Sequence, residues 1–286
     1  MRWLSPLLLV AAVSSTAAAD KSSNPAFLGI GMADVQTPSP NGTMAVTGCM
    51  VTNIMRGSGA QAAGLQDGDY LISVDKKKVS NCNDVLATVQ ARQPGDLVRV
   101  DALRGGSIVS ISATLISRDE ILRRRLVGTS APATELPYVD GDDESLDLAG
   151  NRGKTTVIGW YDASRCTQCK DVFAKVATWA KKQADKPGAA VIPLAVTAVQ
   201  DPTNRELRKN FKYLAGQLDV PLALSTPQQF EEFTVPDSDR VQFMVIDCKG
   251  VVRSVVPVAP DSDDVDAALD EMFAAAEQAQ RVALKR

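Results

Sequence analysis

Two patterns of hydrophobic and polar positions divide this chain. Between residues 26 and 116, short runs of β-branched and other apolar residues alternate with turns that contain glycine, a pattern typical of β-strands. One stretch of this part, residues 83–93, instead has its apolar side chains at helical spacing and is followed by a Pro-Gly pair. The pattern therefore predicts a β-rich domain with one helix, whose clearest strands are residues 48–54, 70–74, 97–103 and 108–116.

The second pattern begins near residue 126, where apolar strands alternate with longer helices. Such alternation predicts an α/β domain with a largely parallel central sheet. A charged, helical stretch joins the two patterns, so we expect a first domain over 25–117, a linker over 118–127 and a second domain over 128–281. The strands expected in the second domain are residues 155–161, 189–196, 240–247 and 251–256, and the helices are residues 166–183, 203–214 and 262–280.

The start of the chain has the character of a cleavable signal peptide. Arg2 precedes an apolar run at 4–13, and Ala17 and Ala19 are the small residues that a signal peptidase requires before a cut at Asp20. No later stretch approaches the roughly 18 apolar residues of a membrane span. We therefore expect residues 1–19 to be removed, the protein to be exported to a periplasmic or extracellular location, and no integral membrane span to remain after cleavage.

The composition excludes several classes of chemistry. The 286 residues contain no histidine, which excludes Ser-His-Asp and Cys-His catalysis and every imidazole metal site. The formal net charge of -3 comes from interspersed charges, so no large basic surface is available to bind nucleic acid. The sequence suggests neither a cofactor nor a metal ion, and its reactive side chains are the five cysteines Cys49, Cys82, Cys166, Cys169 and Cys248.

A glycine-rich motif marks the first domain. It consists of Phe-Leu-Gly-Ile-Gly at 27–31, Gly-Ser-Gly-Ala-x-x-Ala-Gly-Leu at 57–65 and Asp-Gly-Asp at 67–69. These residues resemble the PDZ domains attached to HtrA-type envelope proteases. In that family, backbone N–H groups of the apolar-Gly-apolar loop hold the C-terminal carboxylate of a peptide, which adds as a strand to the sheet. The resemblance implies a protein or peptide client in a groove formed by Leu28, Gly29, Ile30, Val85, Leu86 and Val89.

Two questions about this domain stay open from the sequence. The apolar residues assigned to the groove could instead fill a small core. Cys49 falls on a predicted strand and Cys82 at the start of the predicted helix, and both a structural disulfide and two separate buried thiols fit that placement.

A Cys-x-x-Cys motif follows a buried strand of the second domain. Cys166, Thr167, Gln168 and Cys169 come shortly after the strand expected at 155–161. With the flanking residues 146–154 and 245–250, this motif resembles the TlpA-like branch of the thioredoxin-fold proteins. A thiolate at a helix start is stabilised by unpaired N–H groups and by the helix dipole. Cys166 is therefore the expected attacking thiol, Cys169 the resolving thiol, and the positive charge of Arg165 supports the thiolate.

The second domain also departs from the family pattern. The cysteines are not separated by a proline, Arg165 stands where the family has tryptophan, and Val241 stands where a cis-proline normally faces the dithiol. Pro236 lies five residues earlier and replaces that proline only if the loop folds differently.

The fold class expected from these features is mixed, a β-rich PDZ domain followed by an α/β thioredoxin-like domain. The corresponding function is an exported thiol-disulfide oxidoreductase that recruits a client through the PDZ groove and exchanges electrons with a redox partner protein. The alternative is a non-enzymatic adaptor in which the Cys166–Cys169 disulfide is only structural. A thiol peroxidase is disfavoured, because Ala163 occupies the position of the threonine that such a site requires.

Overall fold

The structure is a computed structural model that describes residues 25–38, 44–140, 144–148, 153–184, 191–234 and 239–284. The predicted signal peptide, residues 1–19, and Pro236 lie outside these residues. Within the described ranges, no helix is both long and apolar enough to cross a membrane.

The first domain is an antiparallel sheet with two short helices. Its strands follow the spatial order β2-β3-β4-β6-β7, β5 pairs with β4, and β1 pairs separately with β8. The predicted β-rich architecture is confirmed. In chain order the elements are β1 (Ala26–Phe27), β2 (Ile30–Pro38), β3 (Met44–Ile54), α1 (Gly59–Ala63), β4 (Tyr70–Val74), β5 (Lys77–Lys78), α2 (Cys82–Gln90), β6 (Leu97–Arg104), β7 (Ser107–Thr114) and β8 (Ile116–Ser117).

Helix α2 forms where the sequence predicts it, for identifiable local reasons. The Asn81 side chain accepts a hydrogen bond from the Asp84 backbone N–H, while the Asp84 carboxylate accepts one from Asn81 N–H, which completes a capping box. The buried face of the helix carries Val85 and Val89, which pack on the inward residues of the sheet. The helix ends at Gln90, before the predicted limit of Gln93.

The stretch between the two sequence patterns is helix α3 (Arg118–Leu126). The Ser117 hydroxyl caps its start, acidic residues occupy its first turn and three arginines its last, which matches the helix dipole. Its helical character is confirmed, but it is not a solvated connector. Leu122 and Leu126 are buried with the apolar core of the second domain, whereas Ile121 lies against the first, 3.4 Å from where a Cβ on Gly29 would be.

The second domain has a five-strand sheet in the order β13-β12-β11-β14-β15 among the described residues, with helices on both faces. This arrangement is a thioredoxin-like α/β fold, as predicted. In chain order the elements are β9 (Glu135–Pro137), β10 (Ser145–Asp147), β11 (Thr155–Trp160), α4 (Cys169–Ala184), β12 (Val191–Ala198), α5 (Arg205–Ala215), β13 (Leu222–Ser225), α6 (Pro227–Phe233), β14 (Val241–Ile246), β15 (Val252–Val258) and α7 (Val265–Leu284).

The sheet is mixed, which corrects the prediction of a largely parallel one. Strands β11, β12 and β13 run parallel to one another, but β14 pairs antiparallel with both β11 and β15. The connection between β14 and β15 is a tight turn in which Gly250 N–H bonds to the Asp247 carbonyl. Such a connection is too short for the crossover that parallel strands need, so these two strands must form a hairpin.

Strand β11 lies at the centre of the second domain and contributes to the two apolar cores that lie on opposite faces of its sheet. Val157 faces the core under α4 and α7, whereas Ile158 and Trp160 face the core under α3 and α6. Gly159 lets large side chains meet the strand, since a Cβ there would lie 2.6 Å from Phe173. The chain that leaves this fully buried strand carries the Cys-x-x-Cys motif.

Replacing Leu122 by alanine tests whether α3 is part of the second domain. We expect Leu122→Ala to lower the free energy of unfolding of this domain by about 2–5 kcal/mol, because it removes buried methyl groups and leaves a cavity. Denaturant titration followed by the fluorescence of Trp160 and Trp179, which both lie in this domain, measures the change. Arg123→Ala on the exposed side of the same helix is the control, and equal effects of the two changes would show that α3 is only a connector.

Candidate functional site

Cys166 lies in the turn between β11 and α4 and forms a disulfide with Cys169, the first residue of α4, with Cα atoms 5.4 Å apart. Asp162 organises the turn. Its carbonyl accepts hydrogen bonds from the N–H groups of Cys166 (2.9 Å) and Arg165 (3.1 Å), and its carboxylate accepts from Ser164. The prediction that Cys166 begins the helix is wrong, because these turn hydrogen bonds delay the first helical residue to Cys169. Cys166 therefore lies ahead of the α4 N-terminus rather than within its first turn.

The two sulfurs differ in access. Cys169 is fully buried, whereas Cys166 keeps 7% of its surface and lines a small cleft of about 150 Å³. The other residues of this cleft are Arg165, Thr167, Gln168, Asp239, Pro260 and Asp261. A group that enters the cleft reaches Cys166 first.

Arg165 lies at the edge of the cleft with an exposed side chain. Its Nε is 3.6 Å from Oδ2 of Asp162, so a carboxylate offsets part of the positive charge that the sequence assigned to the support of Cys166. Because both groups are partly exposed to solvent, this ion pair is weak.

Val241 does not present an exposed surface beside the dithiol. It is fully buried in the core that also contains Cys166 and Cys169, and no cis peptide bond occurs among the described residues. The backbone that meets the dithiol belongs to Asp239, whose carbonyl oxygen is 3.4 Å from Sγ of Cys166. Sequence reasoning missed Asp239, although its position just before the late strand was the available signal.

The surroundings of the dithiol on the protein side are apolar. Tyr161 packs edge-on against Phe173 with ring centroids 5.1 Å apart, in the same core as both cysteines. Burial raises the pKa of Tyr161, and its hydroxyl has no hydrogen-bond partner among the residues that the structure describes. The phenol therefore stays neutral and adds no charge beside the sulfurs.

The residues predicted to form the peptide groove come together, with one exception. Leu28, Ile30, Val85 and Val89 are buried in one apolar cluster, whereas the Leu86 side chain is 44% exposed. The buried four belong to the core of the domain, so Leu86 is the member of the predicted set that can contact a ligand without rearrangement.

The loop at Leu28 and Gly29 has a conformation that requires glycine. Gly29 has a φ of +80°, and a Cβ there would lie 2.2 Å from Cβ of Ser58. The carbonyls of Leu28 and Gly29 accept hydrogen bonds from Ala60 and Met55, which holds the loop against the domain. Among the described residues, β2 pairs only with β3 and is an edge strand beside α2. The strand edge and the loop together suit the addition of a peptide strand.

The question of Cys49 and Cys82 is resolved, because the structure joins them by a disulfide. This bond links β3 to the start of α2, and the Cys82 N–H also donates to Oδ1 of Asp34 on β2 at 2.7 Å. The start of α2 is thus held to both strands next to the predicted groove. Cys248, in the turn between β14 and β15, is a free thiol.

Comparison with protein families identifies the first domain. Residues 26–115 match the PDZ domain family. A solved HtrA-type protease, AlgW with a decapeptide, is 24% identical over 33% of this chain and 30% of its own, with a TM-score of 0.29. This chain therefore spans less than a third of that protease.

Two further likenesses concern the second domain. A candidate protein disulfide isomerase from Bacteroides thetaiotaomicron is 21% identical over 52% of this chain and 87% of its own, with a TM-score of 0.37. BsSco, a member of the Sco family of cytochrome c oxidase assembly proteins, is 15% identical over 54% and 97%, with a TM-score of 0.39. The chain combines a PDZ domain at residues 26–115 with a second domain whose sheet and flanking helices form a thioredoxin-like fold.

Proposed function

We propose that this protein is an exported thiol-disulfide oxidoreductase that uses Cys166 and Cys169 and recruits a client through its PDZ domain. The observation that carries the proposal is the asymmetric dithiol. Cys166 borders a cleft in front of the α4 N-terminus, and Cys169 is buried behind it at bonding distance. This is the arrangement that thiol-disulfide exchange requires, with one accessible sulfur and one resolving sulfur.

The exchange proceeds in two steps. In the reduced protein, the Cys166 thiolate attacks a client disulfide, forms a mixed disulfide and releases one client thiolate. The Cys169 thiolate then attacks Cys166, which releases the second client thiolate and leaves the Cys166–Cys169 disulfide. The client gains two electrons, and the reverse sequence oxidises a client dithiol. A redox partner protein restores the starting state in either direction.

Three parts of the chain stabilise the thiolate, position Cys166 or bind the client in this scheme. The positive end of the α4 dipole stabilises negative charge on the sulfur in front of it. The Asp162 hydrogen bonds keep Cys166 in that place. The edge of β2, with which no other described strand pairs, and the Gly29 loop at its end present backbone groups to a client strand and its terminal carboxylate.

Export is supported by the predicted signal peptide at residues 1–19 and by the disulfides. The structure contains a disulfide in each domain, and such bonds persist in oxidising compartments such as the periplasm and the extracellular space.

A non-enzymatic adaptor is the second candidate, favoured by one observation. Cys166 is only 7% exposed, and the arginine beside it is paired with Asp162. A dithiol with so little access could serve only to hold the start of α4, while the PDZ domain carried the function.

Removal of the resolving thiol separates the two candidates. We expect Cys169→Ser to accumulate mixed disulfides with client proteins through Cys166, because the second step is blocked, while Cys166→Ser accumulates few. Non-reducing gel analysis of the full-length protein from its own compartment measures the trapped species. Cys248→Ser in the same background should leave trapping unchanged, and a Cys169→Ser variant that captures nothing would favour the adaptor.

The peptide groove makes a separate prediction about the client terminus. A peptide with a free apolar C-terminal residue should bind roughly 10 to 100 times more tightly than its amidated form, because charge-assisted hydrogen bonds to the carboxylate contribute about 1.5–3 kcal/mol. Fluorescence polarisation of labelled peptides measures both affinities. Equal affinities would rule out recognition of the terminal carboxylate.

Substitution of an exposed leucine localises the site. We expect Leu86→Ser to weaken the free peptide roughly tenfold through lost apolar contact. Leu97→Ser is the matched control, because Leu97 is also exposed but lies on β6. Val89, which the sequence places in the groove, is unsuitable for this purpose, since it is buried and a charge there would disrupt the core.

A further inference from the structure

A largely buried ion pair connects α3 to the chain segment next to the dithiol. Nη1 of Arg240 lies 2.7 Å from Oδ2 of Asp119, and the side chains are only 17% and 5% exposed. Asp119 belongs to the helix between the two domains, and Arg240 immediately precedes β14. The pair therefore anchors the entrance to β14 from outside the sheet.

The residue before Arg240 is the one that meets Cys166. The Asp239 carbonyl oxygen lies 3.4 Å from Sγ of Cys166. This carbonyl and the nitrogen and Cα of Arg240 belong to one rigid peptide plane. Any force that holds Arg240 in place therefore also holds the oxygen that faces the sulfur.

We propose that Asp119 and Arg240 are positioning residues of the dithiol, which hold the Asp239 carbonyl against Cys166 and thereby restrain its reactivity. This inference rests on the proposed function for its biological meaning, but its chemistry concerns only the Cys166 sulfur. In the reduced protein, the carbonyl accepts a hydrogen bond from the thiol and its partial negative charge opposes the thiolate. The α4 N-terminus stabilises the thiolate, so the carbonyl that Asp119 and Arg240 hold in place opposes the effect of the helix.

Other charged groups also lie around Cys166, so the test must leave them in place. Arg165 and Asp162 pair with each other in the turn, and the Asp239 and Asp261 side chains border the cleft. Lys170 is exposed on α4. The test variants leave all of these groups unchanged.

The ion pair is also poorly suited to a purely stabilising role. Burying two charges costs about as much as their attraction returns, so buried pairs are weak evidence for stability. Oδ1 of Asp119 is buried without a hydrogen-bond partner among the described residues, so the desolvation of this carboxylate is only partly compensated.

The test measures how fast Cys166 reacts with iodoacetamide in the reduced full-length protein. Mass spectrometry of the Cys166 peptide separates it from the other cysteines, and a series of pH values gives the midpoint of the reaction. Asp119→Asn and Arg240→Gln should each raise the rate near neutral pH by roughly threefold to tenfold, the range expected for one lost hydrogen bond, and move the midpoint to lower pH. Arg240→Lys, which keeps the charge, should restore most of the restraint.

The double variant and the controls separate positioning from general loosening. Because the two residues act as one unit, Asp119→Asn with Arg240→Gln should match either single change rather than multiply their effects. It also leaves no uncompensated buried charge if a single variant fails to fold. Glu120→Gln and Arg124→Gln remove matching charges from α3 and should leave the alkylation rate of Cys166 unchanged. The alkylation rate of Cys248 should be the same in every variant.

An unchanged Cys166 rate in the folded variants would overturn the inference, as would multiplied effects or an equal rise at Cys248. Alkylation needs no client, whereas the capture of clients by Cys169→Ser does. A protein that traps no client but shows the predicted change at Cys166 would refute the proposed enzyme and support the positioning role. A protein that traps clients but shows no change in the Cys166 alkylation rate would support the proposed enzyme and refute the positioning role.

Discussion

The packing of α3 between the two domains is the constraint on which the rest of this structure depends. One face of the helix completes the apolar core behind Trp160 and β15 through Leu122 and Leu126. Neighbouring positions on the helix contact the loop that the PDZ resemblance assigns to carboxylate binding, where Arg118 stacks over Phe27 at 4.6 Å and Ile121 approaches Gly29. A single short helix therefore touches the peptide loop, the central core and, through Asp119, the segment beside the dithiol.

The two disulfides of the chain occupy comparable places but differ in what surrounds them. Each ties the start of a helix to the structure before it, with Cys82 at the start of α2 and Cys169 at the start of α4. Cys49 is wholly buried and its bond to Cys82 spans 33 residues, so it constrains the unfolded chain in the manner of a structural staple. Cys166 borders a cleft, and the bond to Cys169 closes only three residues, which adds little stability.

The chemistry available to the dithiol follows from a balance between the helix and the loop opposite it. The start of α4 favours negative charge on sulfur. Negative charge on the sulfur is not stabilised by the Asp239 carbonyl, the apolar core or the neutral Tyr161 phenol. The positive charge of Arg165 is partly offset by its ion pair with Asp162. The Asp239 carbonyl contacts the sulfur, and the ion pair between Asp119 and Arg240 holds the adjacent peptide unit.

The sequence alone determined those features that depend on neighbours a few residues apart. The apolar periodicity and Asn81 cap predict α2, the apolar run before the cysteines predicts β11, and the absence of histidine excludes whole classes of catalysis. The short strand β13 was not predicted, because a run of so few apolar residues does not distinguish a strand from other buried segments. Helix α6 was not predicted either, because its seven residues are too few to show a helical period. Only the tertiary structure decided that Cys49 pairs with Cys82, that β14 runs antiparallel, that Asp239 faces Cys166 and that Arg240 meets Asp119. These contacts join residues distant in the chain, and local periodicity carries no information about which distant segments the packing of the core brings together.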